Sequence, residues 1–295
     1  MRKQETRQWE VKVKENQANL IEYAAKAFPI LGSKSAVKKA IVRQQLKING
    51  KIANFKDRLK KGDILKLELK AQAKSKVFDV KLDVVYEDDH LLIVNKPGGI
   101  AVNGNRNKTV ENAMAQSNRE LKLEGALPQP VAVHRIDVPT NGLVLLARTK
   151  QALIKCSKAF QQNQVKKEYV AIVHGKTSVS GKIDEAVQGK KAITYFETIE
   201  IAPSRVFEHL SLVRMEPHTG RTHQLRLHMK NRGHLIVGDK MYADGQKTIL
   251  GKGLMLCARK LEFKHPISGE QLSIEIEIPT KFTRILKREK ERFSA

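Results

Sequence analysis

The sequence predicts an α+β protein: a small basic α+β module, then a larger domain built on a largely antiparallel mixed sheet with flanking helices. Three observations carry this. The apolar runs of the larger part are short and strand-like, as at Leu91 to Val94, Leu143 to Ala147 and Leu254 to Ala258, with no regular strand-helix alternation to order them into a parallel sheet. Positive charge is concentrated at the front: residues 1–76 hold 20 Lys/Arg against 7 Asp/Glu, a net of +13 out of +24 for the chain. Between the two parts, Ala71-Gln72-Ala73-Lys74-Ser75-Lys76 has no apolar period and reads as a linker. The expected boundaries are 1–70 for the module, with a core at about 18–69, then 71–77 for the linker and 78–295 for the larger domain.

With 55 Lys+Arg against 31 Asp+Glu and a pI near 10.0, the chain calls for a polyanionic partner, nucleic acid or an acidic membrane surface. Its apolar runs are too short to span a bilayer, and the charged amino terminus lacks the apolar core of a secretory signal. A cytoplasmic location and an RNA or DNA partner are therefore expected. Cys156 and Cys257 lie in apolar patterns and read as small buried hydrophobes, too few for a disulfide framework or a zinc site.

In the module, Leu20 to Phe28 has helical apolar spacing, followed by the turn Pro29-Ile30-Leu31-Gly32 and a second helix that Ser33 or Ser35 can cap. There Val37, Ala40 and Ile41 share one face, while Lys34, Lys38, Lys39 and Arg43 project around the rest of the circumference. Leu46-Lys47-Ile48 and Lys51-Ile52-Ala53 flank the hairpin signal Asn49-Gly50, and Gly62-Asp63 introduces the alternating Ile64 to Leu69. From about Ala18 to Leu69 this arrangement resembles the alpha-L RNA-binding domain, the type named after a small-subunit ribosomal protein. The resemblance implies that Lys34, Lys38, Lys39, Arg43, Lys47 and Lys51 contact RNA.

In the larger domain, Val84 to Tyr86, the acidic Glu87-Asp88-Asp89 and Leu91 to Val94 read as strand, turn, strand. Asn95-Lys96-Pro97-Gly98-Gly99 stops them with a tight turn that lets backbone approach something closely. Thr109 to Gly125 is polar and partly helical. Thr149 can cap a helix whose Ala152, Leu153, Cys156, Ala159 and Phe160 face a core. Glu168 to Val173, Ala192 to Ile201, His209 to Met215, Leu261 to Phe263 and Leu272 to Ile278 return to strand, and Lys281 to Arg292 forms a basic helical end.

Two polar constellations stand out. His134-Arg135-Ile136-Asp137 precedes Val138-Pro139-Thr140-Asn141-Gly142 and the buried-strand run, so an acid beside an arginine is presented from the end of a rigid element. Asp137 is read as the reactive residue; the alternative is an aspartate that only caps the turn from Pro139 to Gly142. In the second constellation, Glu216 to Met229, Gly220 marks a loop and Thr222 can cap a helix carrying His223, Arg226 and Lys230 on one face. Its N-terminus, rimmed by Arg221 and Thr222, suits a phosphate. Tyr169, amid Lys166, Lys167 and Glu168, is either a stacking surface for a nucleobase or ordinary core. His218, His223, His228 and His234 are spaced five, five and six apart, unlike the pairing in zinc helices, and no metal site is expected.

In series, Asn95 to Gly99; His134 to Asp137 with Thr140 and Gly142-Leu143; Lys167 and Tyr169; Thr219-Gly220-Arg221-Thr222-His223-Gln224-Leu225-Arg226; Gly233-His234 with Ile236 to Asp239; and Leu254 to Leu256 with His265-Pro266 resemble the RluA family of RNA pseudouridine synthases. The resemblance covers roughly Tyr86 to Gly269. It implies a pseudouridine synthase fold and isomerisation of uridine in structured RNA: the target is flipped, its bond to N1 breaks, the base turns, and a bond to C5 forms. It implies an essential Asp137, which attacks the sugar or removes a sugar proton. Tyr169 would pack on the uracil and assist proton removal at C5, and Arg226 would pair with Asp137. Arg135 would hold the target out of its helix or fill the space it leaves. His134, Thr140, Lys96, Arg221, Thr222, His223 and Gln224 would bind substrate. By the same resemblance the target is large-subunit ribosomal RNA, with transfer RNA the alternative. An isomerisation transfers no electrons and hydrolyses nothing, so no cofactor or metal is expected, and a monomer is expected.

The chain departs from the family pattern at Ile136, at Val138-Pro139-Thr140-Asn141-Gly142 where a charged residue followed by Thr-Ser-Gly is usual, at Tyr242-Ala243-Asp244 and at Val102-Asn103. The competing reading is an RNA-binding or ribosome-assembly protein that keeps the scaffold without catalysis. The chemistry itself is consistent with an enzyme. Desolvation opposes a charged carboxylate in a pocket that excludes water. An arginine about 4 Å away offsets this by roughly 4 kcal/mol at an effective dielectric of 20.

Overall fold

A computed structural model of the chain describes residues 5–12, 18–28, 31, 33–69, 80–104, 107–118, 121–245, 248–249 and 251–294. The chain divides into two units, Met1–Ser75 and Lys76–Ala295. The expected linker 71–77, the expected domain start near Phe78 and the turn residues Pro29, Ile30 and Gly32 lie outside the described residues.

The first unit contains β1 (Glu5–Glu10), β2 (Ala18–Asn19), α1 (Leu20–Ala27), α2 (Lys34–Val42), β3 (Leu46–Ile48), β4 (Lys51–Ile52), β5 (Arg58–Leu59) and β6 (Ile64–Leu69). Asn19 caps α1 by accepting from the N–H groups of Ile21 and Glu22, and Ser33, of the two serines considered, caps α2 by accepting from Ala36. Val37, Ala40 and Ile41 meet Leu20, Ala24, Leu46, Leu59, Leu65 and Leu67 in one core. Strand β1 was not expected, because Glu-Thr-Arg-Gln-Trp-Glu has no apolar alternation. It is held as an antiparallel edge by register with β6, from Glu5 opposite Leu69 to Glu10 opposite Ile64, rather than by a buried face.

The second unit contains β7 (Asp83–Glu87), β8 (Leu91–Lys96), α3 (Val110–Ala113), β9 (Ala126–Ala132), β10 (Asn141–Thr149), α4 (Lys150–Gln161), β11 (Lys166–His174), β12 (Ser180–Asp184), β13 (Ile193–Ser204), β14 (Glu208–Pro217), α5 (Gln224–Asn231), β15 (Leu256–Lys264), β16 (Gln271–Glu275) and α6 (Thr280–Ser294). Its strands run in the order β12-β13-β14-β11-β15-β10-β8-β7, with β9 added to β10 and β16 to β15. Among the described strands the pairings are antiparallel except β10 with β15, at Asn141 opposite Cys257 and Gly142 opposite Ala258. The runs at Leu254 to Ala258 and Leu261 to Phe263 thus contribute to one strand, β15.

The runs Leu91 to Val94 of β8 and Leu143 to Ala147 of β10 are apolar because both faces are covered. One face packs Ile93, Leu143 and Leu145 against Ala152 and Cys156 of α4. The other packs Leu92, Val144 and Leu146 against Val110, Met114 and Ile136. The loop bearing Asp137 therefore enters β10 with Ile136 already anchored in the core. Helix α6 buries Phe282, Ile285 and Leu286 on a further cluster. No helix among the described residues is long and apolar enough to cross a membrane.

Candidate active site

The loop between β9 and β10 is strapped from below by the turn that ends β8. Lys96 is fully buried, and its Nζ donates to the carbonyls of Pro97 (2.9 Å), Ile100 (2.9 Å) and Val138 (3.1 Å). Burial pushes its pKa down to about 8, against the opposing charge of Asp137. The Gly98 N–H donates to Asn141 Oδ1 at 2.7 Å, and the Gly99 N–H to the Val138 carbonyl at 2.7 Å. A Cβ on Gly98 would lie 2.8 Å from Asn141 Oδ1 and 2.9 Å from the Pro139 carbonyl oxygen. What the Pro-Gly-Gly backbone approaches is the Asp137 loop itself. Lys96 was expected to bind substrate; with its ammonium enclosed and committed to three carbonyls, it positions the loop instead.

Asp137 closes a turn through its backbone carbonyl, which accepts from the Thr140 N–H at 3.0 Å. Its carboxylate caps no backbone N–H among the described residues, which disposes of the capping alternative. It is 21% exposed, and its oxygens lie 3.5 Å from Arg226 Nη1 and 3.7 Å from His223 Nε2. Thr140 is buried beside it, and its hydroxyl has no hydrogen-bond partner among the described residues.

Helix α5 supplies the opposite wall. Thr222 was expected to cap it, but His223 takes the cap position in a left-handed conformation (φ 58°) with no side-chain cap bond, and Thr222 is exposed outside the cleft. Gln224 was expected to bind substrate. Its Oε1 instead accepts from the Thr219 hydroxyl (2.7 Å) and the Arg221 N–H (3.1 Å), while its Nε2 donates to the Ile193 carbonyl and Thr194 Oγ1, both at 3.0 Å. Its amide is thereby occupied in tying the entry loop to β13.

Arg226 is the most constrained cation of the site. Its Nε and Nη2 donate to the two oxygens of Asp239 at 2.7 and 2.8 Å, a two-pronged pair in which both side chains are nearly or fully buried. The third nitrogen is left for Asp137. Burial opposes the Arg226 charge, but the hydrogen bonds and charge of Asp239, with Asp137 and Tyr242 behind them, raise its pKa on balance. The expected pairing with Asp137 is thus present but secondary to that with Asp239. Tyr242 joins the same cluster: its hydroxyl is 2.7 Å from His223 Nδ1, and the Arg226 guanidinium lies 4.8 Å from its ring centre.

Tyr169 follows a β-bulge between Glu168 and Tyr169 in the pairing of β11 with β15, an irregularity of the kind that re-aims a side chain. Burial raises its hydroxyl pKa far above the ordinary phenol value, and the Asp137 charge adds to that. His134 stacks on Phe160 with ring centres 4.3 Å apart, and its Nε2 accepts from the Leu145 N–H at 3.0 Å. Burial, then the charge of Lys167, pushes its pKa down to about 3, so the ring is a neutral wall. These side chains, with Thr140 and Arg221, line a cleft of about 560 Å³. Arg135 and Arg221 are exposed at its rim, and Arg221 Nε donates to the Lys191 carbonyl at 3.1 Å.

The four clustered histidines have separate tasks. His218 packs at a tilt against Tyr195, His223 meets Tyr242, His228 meets Thr194 and the Glu185 carbonyl, and His234 meets the His174 carbonyl. In the first unit Lys38, Lys39, Arg43 and Lys51 are exposed, whereas Lys34 pairs with Glu22 and Lys47 with Glu68. The sequence alone points to no role for Asp239 or Tyr242. Asp239 stood in a quoted motif, but nothing in the string pairs it with an arginine 13 positions earlier.

The family model described as RNA pseudouridylate synthase matches residues 90–231, which contain Asp137, Tyr169 and Arg226. The chain is 33% identical to the ribosomal large subunit pseudouridine synthase D of Zymomonas mobilis, over 71% of this chain and 73% of that one. It is 34% identical to the dual-specificity RNA pseudouridine synthase RluA of Haemophilus influenzae, over 65% of this chain and 91% of that one. In fold it matches the human RNA pseudouridylate synthase domain containing 4, with a TM-score of 0.57 and 24% identity, over 70% of this chain and 93% of that one. The chain belongs to the RluA family of RNA pseudouridine synthases. It is an isomerase of uridine in RNA.

Proposed function

We propose that this enzyme converts one or more uridines of large-subunit ribosomal RNA to pseudouridine in the cytoplasm, with Asp137 as the essential residue acting on a flipped nucleotide. The observation that carries the reading is the Asp137 carboxylate on the cleft wall, 3.5 Å from an Arg226 whose direction Asp239 fixes. A ribosomal target is supported by the name of the Zymomonas relative and by the basic first unit.

Extrusion of the uridine costs a few kcal/mol, offset by stacking on Tyr169 and by phosphate contacts from Arg135 and Arg221 at the rim. Asp137 then acts on the ribose, by attack or by removing a sugar proton. Either way the C1′–N1 bond breaks, the uracil turns, and a C1′–C5 bond forms. One proton leaves C5 and one is gained at N1, so atoms and electrons balance without a cofactor. Tyr169 serves as a packing surface: a phenol whose pKa burial has raised is a poor base for the C5 proton. His134 walls the cleft in its neutral form. The first unit acts as the alpha-L RNA-binding domain, through the exposed Lys38, Lys39, Arg43 and Lys51.

Mapping pseudouridines in total RNA from cells with and without the protein tests this. A site lost from large-subunit ribosomal RNA is expected; a loss confined to transfer RNA would contradict the ribosomal target.

A further inference from the structure

Lys167 lies on β11 two residues before Tyr169 and lines the cleft that holds Asp137. Its ammonium makes no hydrogen bond or ion pair among the described residues. Its neighbours differ. Lys166 approaches Glu262 at 3.9 Å, and Glu168 meets Arg259 at 2.9 Å and Arg214 at 3.7 Å. Strand alternation sends those two to the other face of β11 and turns Lys167 into the cleft.

The described residues around it supply no counter-ion. Asp137 is already flanked by Arg226 and His223. The end of α4 is occupied too, because the carbonyls of Lys158, Ala159 and Phe160 accept from the N–H groups of Gln162, Gln164 and Asn163. The ring of His134 registers Lys167 as a repulsive charge, and burial lowers the lysine's own pKa. A cation partly withdrawn from water without a partner costs free energy until a ligand supplies the opposite charge. In an RNA nucleotide the base and ribose are neutral and the phosphodiester carries the full negative charge. We infer that Lys167 receives a phosphate of the target nucleotide and so seats the flipped uridine with its C1′ toward Asp137. Ser157, Gln161 and Asn163 also line the cleft, and their hydroxyl and amide groups can donate to the remaining phosphate oxygens.

This rests on the pseudouridine synthase reading of the cleft. The test is single-turnover tritium release from C5-tritiated RNA of cells lacking the protein, over a range of enzyme and salt concentrations. Lys167→Met keeps the aliphatic stem and removes the charge. The half-saturating enzyme concentration is expected to rise about ten- to a hundredfold. The slope of log affinity against log salt is expected to fall by about 0.7 to 0.9, one phosphate contact. Lys167→Arg should restore both, and Lys167→Gln substitutes if the Met variant melts early. Unchanged half-saturation and slope would overturn the inference. So would a lower maximal rate alone, which would assign the charge to the departing uracil. If wild-type protein released no tritium from this RNA, the proposed function would fall, whatever Lys167 does.

Discussion

Asp239 holds Arg226 by two parallel hydrogen bonds of 2.7 and 2.8 Å, and so fixes the position from which the guanidinium reaches Asp137. Both groups are withdrawn from water, so removing one leaves the other as a buried, unpaired charge. Asp239→Asn should cost about 3–5 kcal/mol in chemical denaturation, typical of a broken buried pair. It should also slow tritium release, because Arg226 loses its orientation. Wild-type stability would show that Asp239 does not anchor the arginine.

Gly98→Ala tests the strap under the Asp137 loop. The new methyl would press on Asn141 Oδ1 and the Pro139 carbonyl at 2.8 and 2.9 Å. Overpacking of this kind costs about 1–3 kcal/mol. The larger expected effect is on turnover, because displacing a catalytic group by about 1 Å can cost a hundredfold. A variant with wild-type kcat would mean that the loop tolerates the shift.

Tyr169 separates packing from proton transfer. Tyr169→Phe keeps the ring and should retain most of the activity. Tyr169→Ala should lose about 1–3 kcal/mol of stacking. If Phe were as damaging as Ala, the hydroxyl would have a chemical role that its raised pKa argues against.

Acid should weaken the fold through His134 and His174. Burial, aided for His134 by Lys167, pushes their native pKa values down to about 3 and about 4. The unfolded chain takes up these protons near pH 6.5, so it binds more protons than the native state below that pH. Stability is complete above about pH 6.5 and falls toward pH 4, by at most about 1.4 kcal/mol per pH unit for each ring. Denaturation at a series of pH values, with NMR titration of the imidazoles, checks this. A His134 ring titrating near pH 6.5 would contradict its burial.

Much of the site was legible because its parts are local strings. The acid-arginine pair before the Leu143 to Ala147 run announced a presented loop, and the spacing of Arg226 and Lys230 announced one helix face, although His223 precedes the helix. What escaped depended on chain crossings. Lys96 reads as a substrate-binding cation, and only the fold shows three carbonyls converging on it. Thr222 has the right chemistry for a cap, yet the chain enters α5 through a left-handed His223. Asp239 reaches Arg226 across the segment from the end of α5 to the Gly238 turn, and β1 is recruited by register rather than by apolar pattern. Periodicity reports which face is buried but not which distant polar groups meet there.

In the proposed reaction the Asp137 carboxylate acts on the ribose. Asp137→Asn keeps the shape and removes the charge, and Arg226 remains held by Asp239, so the fold and RNA binding should persist. Single-turnover tritium release from C5-tritiated RNA of cells lacking the protein is the direct measurement. No release above the enzyme-free background, with RNA still bound, is expected; release at a rate near that of wild type would show that the carboxylate is not essential.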